Sequence, residues 1–228
     1  MFPLHDDNPT RSFPFLTITL IATCVLVFLW QLSLGSQLNN AIHAFGAIPA
    51  IIFGYQSPSS VPIPVWGTAI TSMFLHGGWM HLLGNMLYLW IFGNNIEDAM
   101  GHRRFLVFYI LCGIAALLAN ALPDPHSTIP MIGASGAISG VLGAYLLLFP
   151  HARVLVAIPF GFFIHTTRLA AGWVLGFWFV LQIINSVMTS GQQGGVAWGA
   201  HIGGFIAGIV LIPLFKKKGV RLFTPRRS

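Results

Sequence analysis

Four polar side chains with the chemistry of acyl transfer lie in otherwise apolar stretches of this sequence. Ser135 lies in the motif GASG, and His201 begins the motif HIGG. His81 and Asn85 are four residues apart in HLLGN, so on a helix both side chains point from one face. A serine hydroxyl becomes a nucleophile when an imidazole accepts its proton, and nearby hydrogen-bond donors can stabilise the oxyanion that forms. These residues are therefore the parts of a nucleophilic serine with an oxyanion hole.

The backbone at Ser135 is expected to supply a further donor. The preceding loop contains Pro123, Pro125 and Pro130, so a helix is predicted to begin at Ser135. The N–H groups of a first helical turn have no partner inside the helix and lie at the positive end of its dipole. The Ser135 N–H is then also free to donate to an oxyanion.

The acidic residues lie away from this group of polar side chains. The chain has five of them: Asp6, Asp7, Glu97, Asp98 and Asp124. A hydrolase built here would therefore use a Ser–His dyad without a third acid. Simpler interpretations stay open, because a serine in a glycine-rich membrane helix commonly serves packing. His76, His81 and His201 could in principle bind a metal or line a proton path.

The composition predicts that these residues lie in a membrane. Of the 228 residues, 55% are hydrophobic and 7% are charged, whereas soluble domains carry about 25% charged residues. A spanning helix needs about 20 apolar residues. Six segments qualify or nearly qualify: 15–34, 73–95, 105–122, 134–149, 169–189 and 196–215. We therefore expect an all-α polytopic membrane protein with a six-helix bundle, whose second helix begins only after Gly77 and Gly78.

The basic residues predict the orientation of this bundle. Lys and Arg occur only in four segments: the N-terminal tail, 96–104, 150–168 and 216–228. Because basic residues stay on the cytoplasmic side, both termini are predicted to be cytoplasmic. The expected organisation is a tail, a membrane domain with a long outer loop and a basic tail: 1–14, 15–215 (outer loop 35–72) and 216–228. The net charge of +6 is interpreted as an orientation signal and contact with anionic lipid, and nucleic acid is not an expected partner.

Helix geometry places the polar residues in one layer. Ser135 lies 15 residues before Pro150, His201 lies 15 before Lys216, and His81 lies 16 before Glu97. At a rise of about 1.5 Å per residue, each lies about 22–24 Å from the cytoplasmic end of its helix. Two helices also carry small-residue faces that allow close approach: Gly136 and Gly140, and Gly204 and Gly208. These glycines are predicted to bring His201 to Ser135.

Three motifs, in this order, resemble the rhomboid intramembrane serine proteases. They are HGGWMHLLGN (76–85), GASG (133–136) and AHIGGFIAG (200–208), and the segment FGNNIEDAMG (92–101) is similar as well. The resemblance covers about 15–215 and implies a six-helix bundle of rhomboid type.

The resemblance implies a role for each residue of the site. Ser135 would be the nucleophile and His201 the general base, while His81, Asn85 and the Ser135 N–H would form the oxyanion hole. Structural support is implied for five residues: His76, Gly133, Gly136, Gly204 and Gly208. Many members carry an aromatic residue four positions after the nucleophile, packed on the catalytic histidine. This chain has Ser139 there, which could supply a weak hydrogen bond to His201 instead.

The resemblance also implies substrates and location. Members cleave single-pass membrane proteins within or beside the membrane segment, with water entering from the outer face. No metal or organic cofactor is expected, the lipid bilayer is the other expected partner, and the chemistry does not require an oligomer. The compact architecture suits a bacterial inner membrane. Two other functions stay open: a relative that binds membrane helices without cutting them, and a small transporter with histidines along a proton path.

Overall fold

The computed structural model describes residues 1–58, 61–161, 163–189 and 195–224, so parts of the predicted outer loop and basic tail lie outside the described residues. Six long helices of 14 to 22 residues dominate it. With three short helices between α1 and α5, the helices in chain order are α1 Phe15–Ser33, α2 Leu38–Phe45, α3 Pro49–Ile52, α4 Thr68–Thr71, α5 Trp79–Met100, α6 His102–Ala121, α7 Ser135–Leu148, α8 Ala171–Met188 and α9 Trp198–Phe215. The long helices overlap the six predicted segments, although α5 ends at Met100 rather than at 95. Helix α5 begins directly after Gly78, as predicted.

Four of the long helices are apolar and long enough to cross a membrane. They are α1, α6, α8 and α9. The protein is therefore an integral membrane protein, as its composition predicted. α5 carries Glu97 and Asp98 near its end, and α7 has only 14 residues. That all six long helices cross the membrane therefore stays a prediction.

Helix α7 lies at the centre of the bundle. It packs against α5, α6 and α9, and residues 136–145 are all buried. Its small residues, among them Gly136, Gly140 and Gly143, allow neighbouring backbones to come close. Helix α1 packs on α5 and α6 instead, and α8 presents large apolar side chains outward, including Trp173, Phe177 and Val187. Ser135, at the start of this central helix, defines the site end of the bundle.

The described parts of the predicted outer loop, 35–58 and 61–72, fold over the site end and contain short helices. Ala47 pairs with Met131 in an isolated β-bridge, which ties this segment to the loop before α7. Ala47, Ile52 and Ala69 form a small buried cluster with Leu117 of α6. The predicted outer loop is therefore a packed layer with its own core.

A three-stranded antiparallel sheet lies at the opposite end and was not expected in an all-α chain. Its strands, β1 Phe2–Asp6, β2 Arg153–Phe160 and β3 Phe163–Ala170, run in the order β1-β2-β3. Phe2 pairs with Ala157, and Val154 pairs with Leu169. Val154 and Val156 alternate with more exposed neighbours and are fully buried, which is the period-two pattern of a half-buried strand. The predicted N-terminal tail is thus partly a sheet strand.

Buried carboxylates hold the N-terminal segment to the helices. Tyr145 donates its hydroxyl to Asp6 at 2.6 Å, and the Asn95 amide donates to the same oxygen at 2.9 Å. Glu97 accepts from the backbone N–H groups of Leu16 and Thr17, each at 2.8 Å. These first-turn N–H groups of α1 have no partner inside their own helix, so Glu97 caps α1 from α5.

Candidate active site

Ser135 is the first residue of α7, as the proline-rich loop before it predicted. Gly133, two residues earlier, has φ +117°, a conformation that only glycine adopts readily. Its N–H donates to the Ser72 carbonyl at 2.9 Å, which fixes the turn that presents Ser135. Within the described ranges, the backbone N–H of Ser135 has no hydrogen-bond acceptor, and the residue is partly exposed. A carbonyl group reaching Ser135 would therefore meet an unused donor.

Helices α7 and α9 run parallel in backbone contact. A Cβ added at Gly204 would lie 2.0 Å from the Gly136 carbonyl oxygen, and one added at Gly208 would lie 2.0 Å from the Gly140 carbonyl oxygen. Even an alanine at either position would force the helices apart. The sequence predicted this approach from its two small-residue faces.

The register of this contact brings the first turn of α9 to the level of Ser135. Ser139 lies against Gly204, at 3.3 Å from the position of the added Cβ. Ser135 is one turn before Ser139 on the same face of α7, and His201 is three residues before Gly204 on α9. In the part of the chain that the structure describes, no hydrogen bond joins the Ser135 hydroxyl to the His201 imidazole. In proteins without substrate, such catalytic bonds are often long.

His81 presents an N–H toward the loop in front of Ser135. The Gly77 N–H donates to His81 Nδ1 at 3.2 Å, so a neutral His81 carries its proton on Nε2. A Cβ added at Gly133 would lie 2.6 Å from that Nε2. The donor of His81 thus points into the space that the missing side chain of Gly133 leaves open.

Asn85 supplies a second donor at the same place. Its Nδ2 lies 3.8 Å from the position of a Cβ on Gly133. Among the described residues, this buried Nδ2 has no hydrogen-bond partner. Buried polar groups are nearly always paired, so an orphaned amide beside a glycine and a serine indicates a ligand position. His81 and Asn85 are thus brought together around the space beside Gly133, two residues before Ser135 in the chain.

The family relationship follows from the whole-domain comparison. The sequence matches the family model of the Rhomboid domain over residues 64–218. The chain belongs to the rhomboid family. All the predicted site residues, from His76 to Gly208, fall inside the matched range.

Several curated rhomboids are similar to this chain. "Rhomboid protease GluP" of Bacillus subtilis (strain 168) is 31% identical over 221 residues, covering 96% of this chain and 38% of the Bacillus protein. "Rhomboid protein 1, mitochondrial" of Saccharomyces cerevisiae is 32% identical over 149 residues, covering 62% of this chain and 39% of the yeast protein. "Rhomboid protease AarA" of Providencia stuartii is 28% identical over 209 residues, covering 86% and 70%. The chain thus spans well under half of the Bacillus and yeast proteins.

Two glutamines of this rhomboid hold the site histidines and were not predicted from the sequence. Gln31 of α1 accepts from the His76 N–H at 2.9 Å and donates to the His76 carbonyl at 3.2 Å. Gln182 of α8 binds His201, with 2.8 Å between its Oε1 and the imidazole Nδ1. Uncharged amides inside apolar helices were the available signal, since membrane helices rarely bury polar groups without a purpose.

His76 supports the turn that leads into α5. It is buried, and its Nδ1 donates to the Phe74 carbonyl at 3.1 Å. Its ring lies against that of His81, with centroids 5.1 Å apart. The His76 ring therefore packs against the His81 ring. The structural role that the resemblance implies for His76 stays a prediction.

Ser139 does not take the position suggested for it beside His201. Its hydroxyl donates to the Ser135 carbonyl, one turn back, at 2.6 Å. Aromatic residues from two other places contact the imidazole instead, because the rings of Trp178 and Trp198 both have centroids 5.9 Å from that of His201. The prediction of a hydrogen bond from Ser139 to His201 is wrong, because the Ser139 hydroxyl donates to the Ser135 carbonyl of its own helix.

Proposed function

We propose that this rhomboid is an intramembrane serine protease with Ser135 as nucleophile and His201 as general base. The oxyanion hole consists of the His81 Nε2–H, the Asn85 amide and the Ser135 backbone N–H. The observation that carries the proposal is the convergence of unused donors on the space beside Gly133 and Ser135. An oxyanion hole needs preorganised donors of this kind, unpaired until the charge develops. Several similar relatives also carry the word "protease" in their names.

The arrangement supports a two-step acyl transfer. The Ser135 Oγ bonds to the substrate carbonyl carbon while its proton moves to His201 Nε2, and the carbonyl oxygen becomes an oxyanion held by the three donors. The oxyanion then re-forms the carbonyl and expels the amine, which takes the proton from His201. Water repeats the sequence on the acyl-enzyme, giving its proton to His201, and Ser135 recovers a proton as the acid leaves.

The proposed substrates are single-pass membrane proteins cut in or near their membrane segment. The proposal places all six long helices across the bilayer, with both termini on the cytoplasmic side and the site opening to the outer face. The positions of the Lys and Arg residues support this orientation. A bacterial inner membrane is the proposed location, and a single chain contains all the proposed reacting groups.

Labelling with a fluorophosphonate probe tests the nucleophile directly. Purified wild type, Ser135→Ala and His201→Ala are compared in detergent and in lipid bilayers. Wild type is expected to label, and both variants are expected to lose labelling, because the probe reports only an activated serine. Ser33→Ala is the matched control: Ser33 is exposed and its hydroxyl bonds to the Trp30 carbonyl, so this variant should label like wild type.

Cleavage of a single-pass reporter completes the test. Wild type in proteoliposomes is expected to cut the reporter, and Ser135→Ala to leave it intact. Retained labelling or cleavage in either site variant would overturn the proposal. Failure of wild type to label in every detergent and lipid, with the reporter bound but uncut, would instead favour a helix-binding relative.

A further inference from the structure

We infer that Gln182 is a positioning residue that holds His201 in the tautomer able to act as a general base. This inference rests on the proposed function, since it concerns the base of the same reaction. It names a residue outside the four that the sequence motifs indicate.

The orientation of the Gln182 amide is fixed by its other bond. Its Nε2 donates to the Trp178 carbonyl at 2.9 Å, and its Oε1 lies 2.8 Å from His201 Nδ1. Exchanging the two amide atoms would place Oε1 against the Trp178 carbonyl oxygen, where neither atom has a proton to share. Oε1 therefore faces the imidazole, and an amide oxygen can only accept.

The proton of neutral His201 consequently lies on Nδ1. A neutral imidazole carries one proton, so Nε2 then has a free lone pair. That lone pair is what a general base needs in order to accept the proton of the Ser135 hydroxyl. The opposite tautomer would present an N–H to the serine and could not take its proton.

The two site histidines are thus held in opposite tautomers. His81 receives the Gly77 N–H at Nδ1 and keeps its proton on Nε2, whereas His201 donates from Nδ1 to Gln182. The Nε2 of His81 then donates a hydrogen bond and the Nε2 of His201 accepts one. In each ring, the hydrogen-bond partner of Nδ1 determines this difference.

Gln182 takes the place that a carboxylate has in a catalytic triad. In triads, the acid fixes the tautomer of the histidine and stabilises the imidazolium. Helices α7, α8 and α9 contain no Asp, Glu, Lys or Arg. Helix α6, which also packs on α9, carries Arg103 and Arg104 in its first turn, and Arg104 bonds to the Lys216 carbonyl at the far end of α9. A buried charge is costly at membrane depth, whereas an amide with both ends bonded is tolerated. Gln182 is 5% exposed and has both bonds.

Trp178 restricts the imidazole from the same helix. It is four residues before Gln182 and accepts from its amide through the backbone carbonyl. Its ring also lies on His201 at an interplanar angle of 32°. One turn of α8 therefore sets both the tautomer and the plane of the base.

Substitutions at Gln182 test the inference. Gln182→Met keeps the length of the side chain and removes the strong acceptor, so kcat is expected to fall about 10- to 100-fold, part of the roughly 10²–10⁴-fold that a general base contributes. KM should stay near wild type, because substrate contacts are kept, whereas the thermal midpoint should fall modestly, because two buried hydrogen bonds are lost. Gln182→Glu restores an acceptor and should recover most of kcat. Its pH–rate profile should lose activity at a higher pH on the acid side, since a carboxylate stabilises the protonated imidazole.

Two further measurements separate the possible failures. ¹⁵N spectra of histidine-labelled wild type should show one imidazole whose signal disappears in His201→Ala and whose Nε2 is unprotonated. In Gln182→Met the two tautomers of His201 should mix, while Asn185→Met, a matched change one turn further along α8, should behave like wild type. Wild-type kcat or an unchanged tautomer in Gln182→Met would overturn the inference. A wild type that neither labels nor cleaves would overturn the proposed function, and the spectra would still report on Gln182.

Discussion

At the scale of single residues, Asn85 shows how a site differs from a core. Its Nδ2 is buried without a partner among the described residues, a situation that costs stability in the absence of a ligand. The same amide is available to an oxyanion beside Ser135. Function and stability therefore make opposite demands on this side chain.

Asn85→Ala separates these two demands. We expect kcat to fall roughly 10²-fold, because one oxyanion donor is lost. The thermal midpoint should stay equal or rise, since no hydrogen bond within the protein is removed. Thermal unfolding and reporter cleavage measured on one preparation check both parts. Asn40→Ala, an exposed amide in α2, is the control. A lower midpoint with wild-type kcat would show that Asn85 is a packing residue.

The sequence indicates the proposed reacting residues but not the side chains that support them. Ser135, His81 and Asn85 could be found because the chemistry demands their types and a helix demands their spacing. The structure places His81 and Asn85 at the space beside Gly133, just before Ser135, while the roles of all three stay predictions. Gln182 was missed because it lies on α8 and its partner His201 lies on α9. No rule of sequence spacing links two residues on different helices. The hydroxyl of Ser139 was misassigned because a local backbone acceptor competes with any partner on another helix.

At the scale of elements, the α7–α9 contact positions the proposed dyad. The two helices contact each other through glycines. No side chain lies between the backbones there that could change rotamer and so absorb a shift in their separation. A change of about 1 Å in this separation would move the base relative to the nucleophile, and misplacement of that size can cost about 10²-fold in rate.

Gly204→Ala tests this dependence. The added Cβ would lie 2.0 Å from the Gly136 carbonyl oxygen, and such overpacking costs about 1–3 kcal/mol. We expect a lower thermal midpoint and a lower kcat together. Gly176→Ala is the matched control in α8, where a Cβ meets nothing within 4 Å and alanine favours the helix by about 1 kcal/mol. Equal midpoints for the two variants would mean that the helices are less tightly packed than the structure shows.

Long elements could be predicted from the sequence, and the sheet could not. Each long helix follows from a continuous apolar run, which is a local property of the chain. The sheet pairs β1 with β2, about 150 residues later. Strands β2 and β3 make up most of the segment 150–168, which the basic residues marked only as a cytoplasmic loop. Its short strands offered alternation at Val154 and Val156 but no local signal of their partner.

At the scale of the whole molecule, the two ends of the bundle carry different polar groups. The site end holds neutral amides and imidazoles around Ser135. The opposite end holds buried carboxylates, since Glu97 caps α1 and Asp6 joins β1 to α5 and α7. The proposed site and the anchoring of the N-terminal segment are therefore separated along the helices, and α7 connects them because Ser135 begins it and Tyr145 lies near its end.

The carboxylate of Asp6 should make stability depend on pH. Burial raises the pKa of Asp6 above its ordinary value of 3.8, although the Tyr145 hydroxyl opposes this shift. The folded protein therefore binds this proton more tightly than the unfolded chain does. The corresponding stability is complete below pH 3.8 and is lost as pH rises through the higher folded value.

Asp6→Asn removes this proton while keeping the shape of the side chain. We expect wild type to lose stability relative to Asp6→Asn as the pH is raised from about 4 toward neutrality, because only wild type must then ionise a buried carboxyl. The thermal midpoints of both proteins are measured across this pH range. The difference between the two midpoints at each pH reports on Asp6, because the other titrating groups are common to both proteins. Asp124→Asn, in the loop before α7, is the control and should run parallel to wild type. A gap that stays constant with pH would show that Asp6 is already ionised throughout, and that its bonds from Tyr145 and Asn95 outweigh burial.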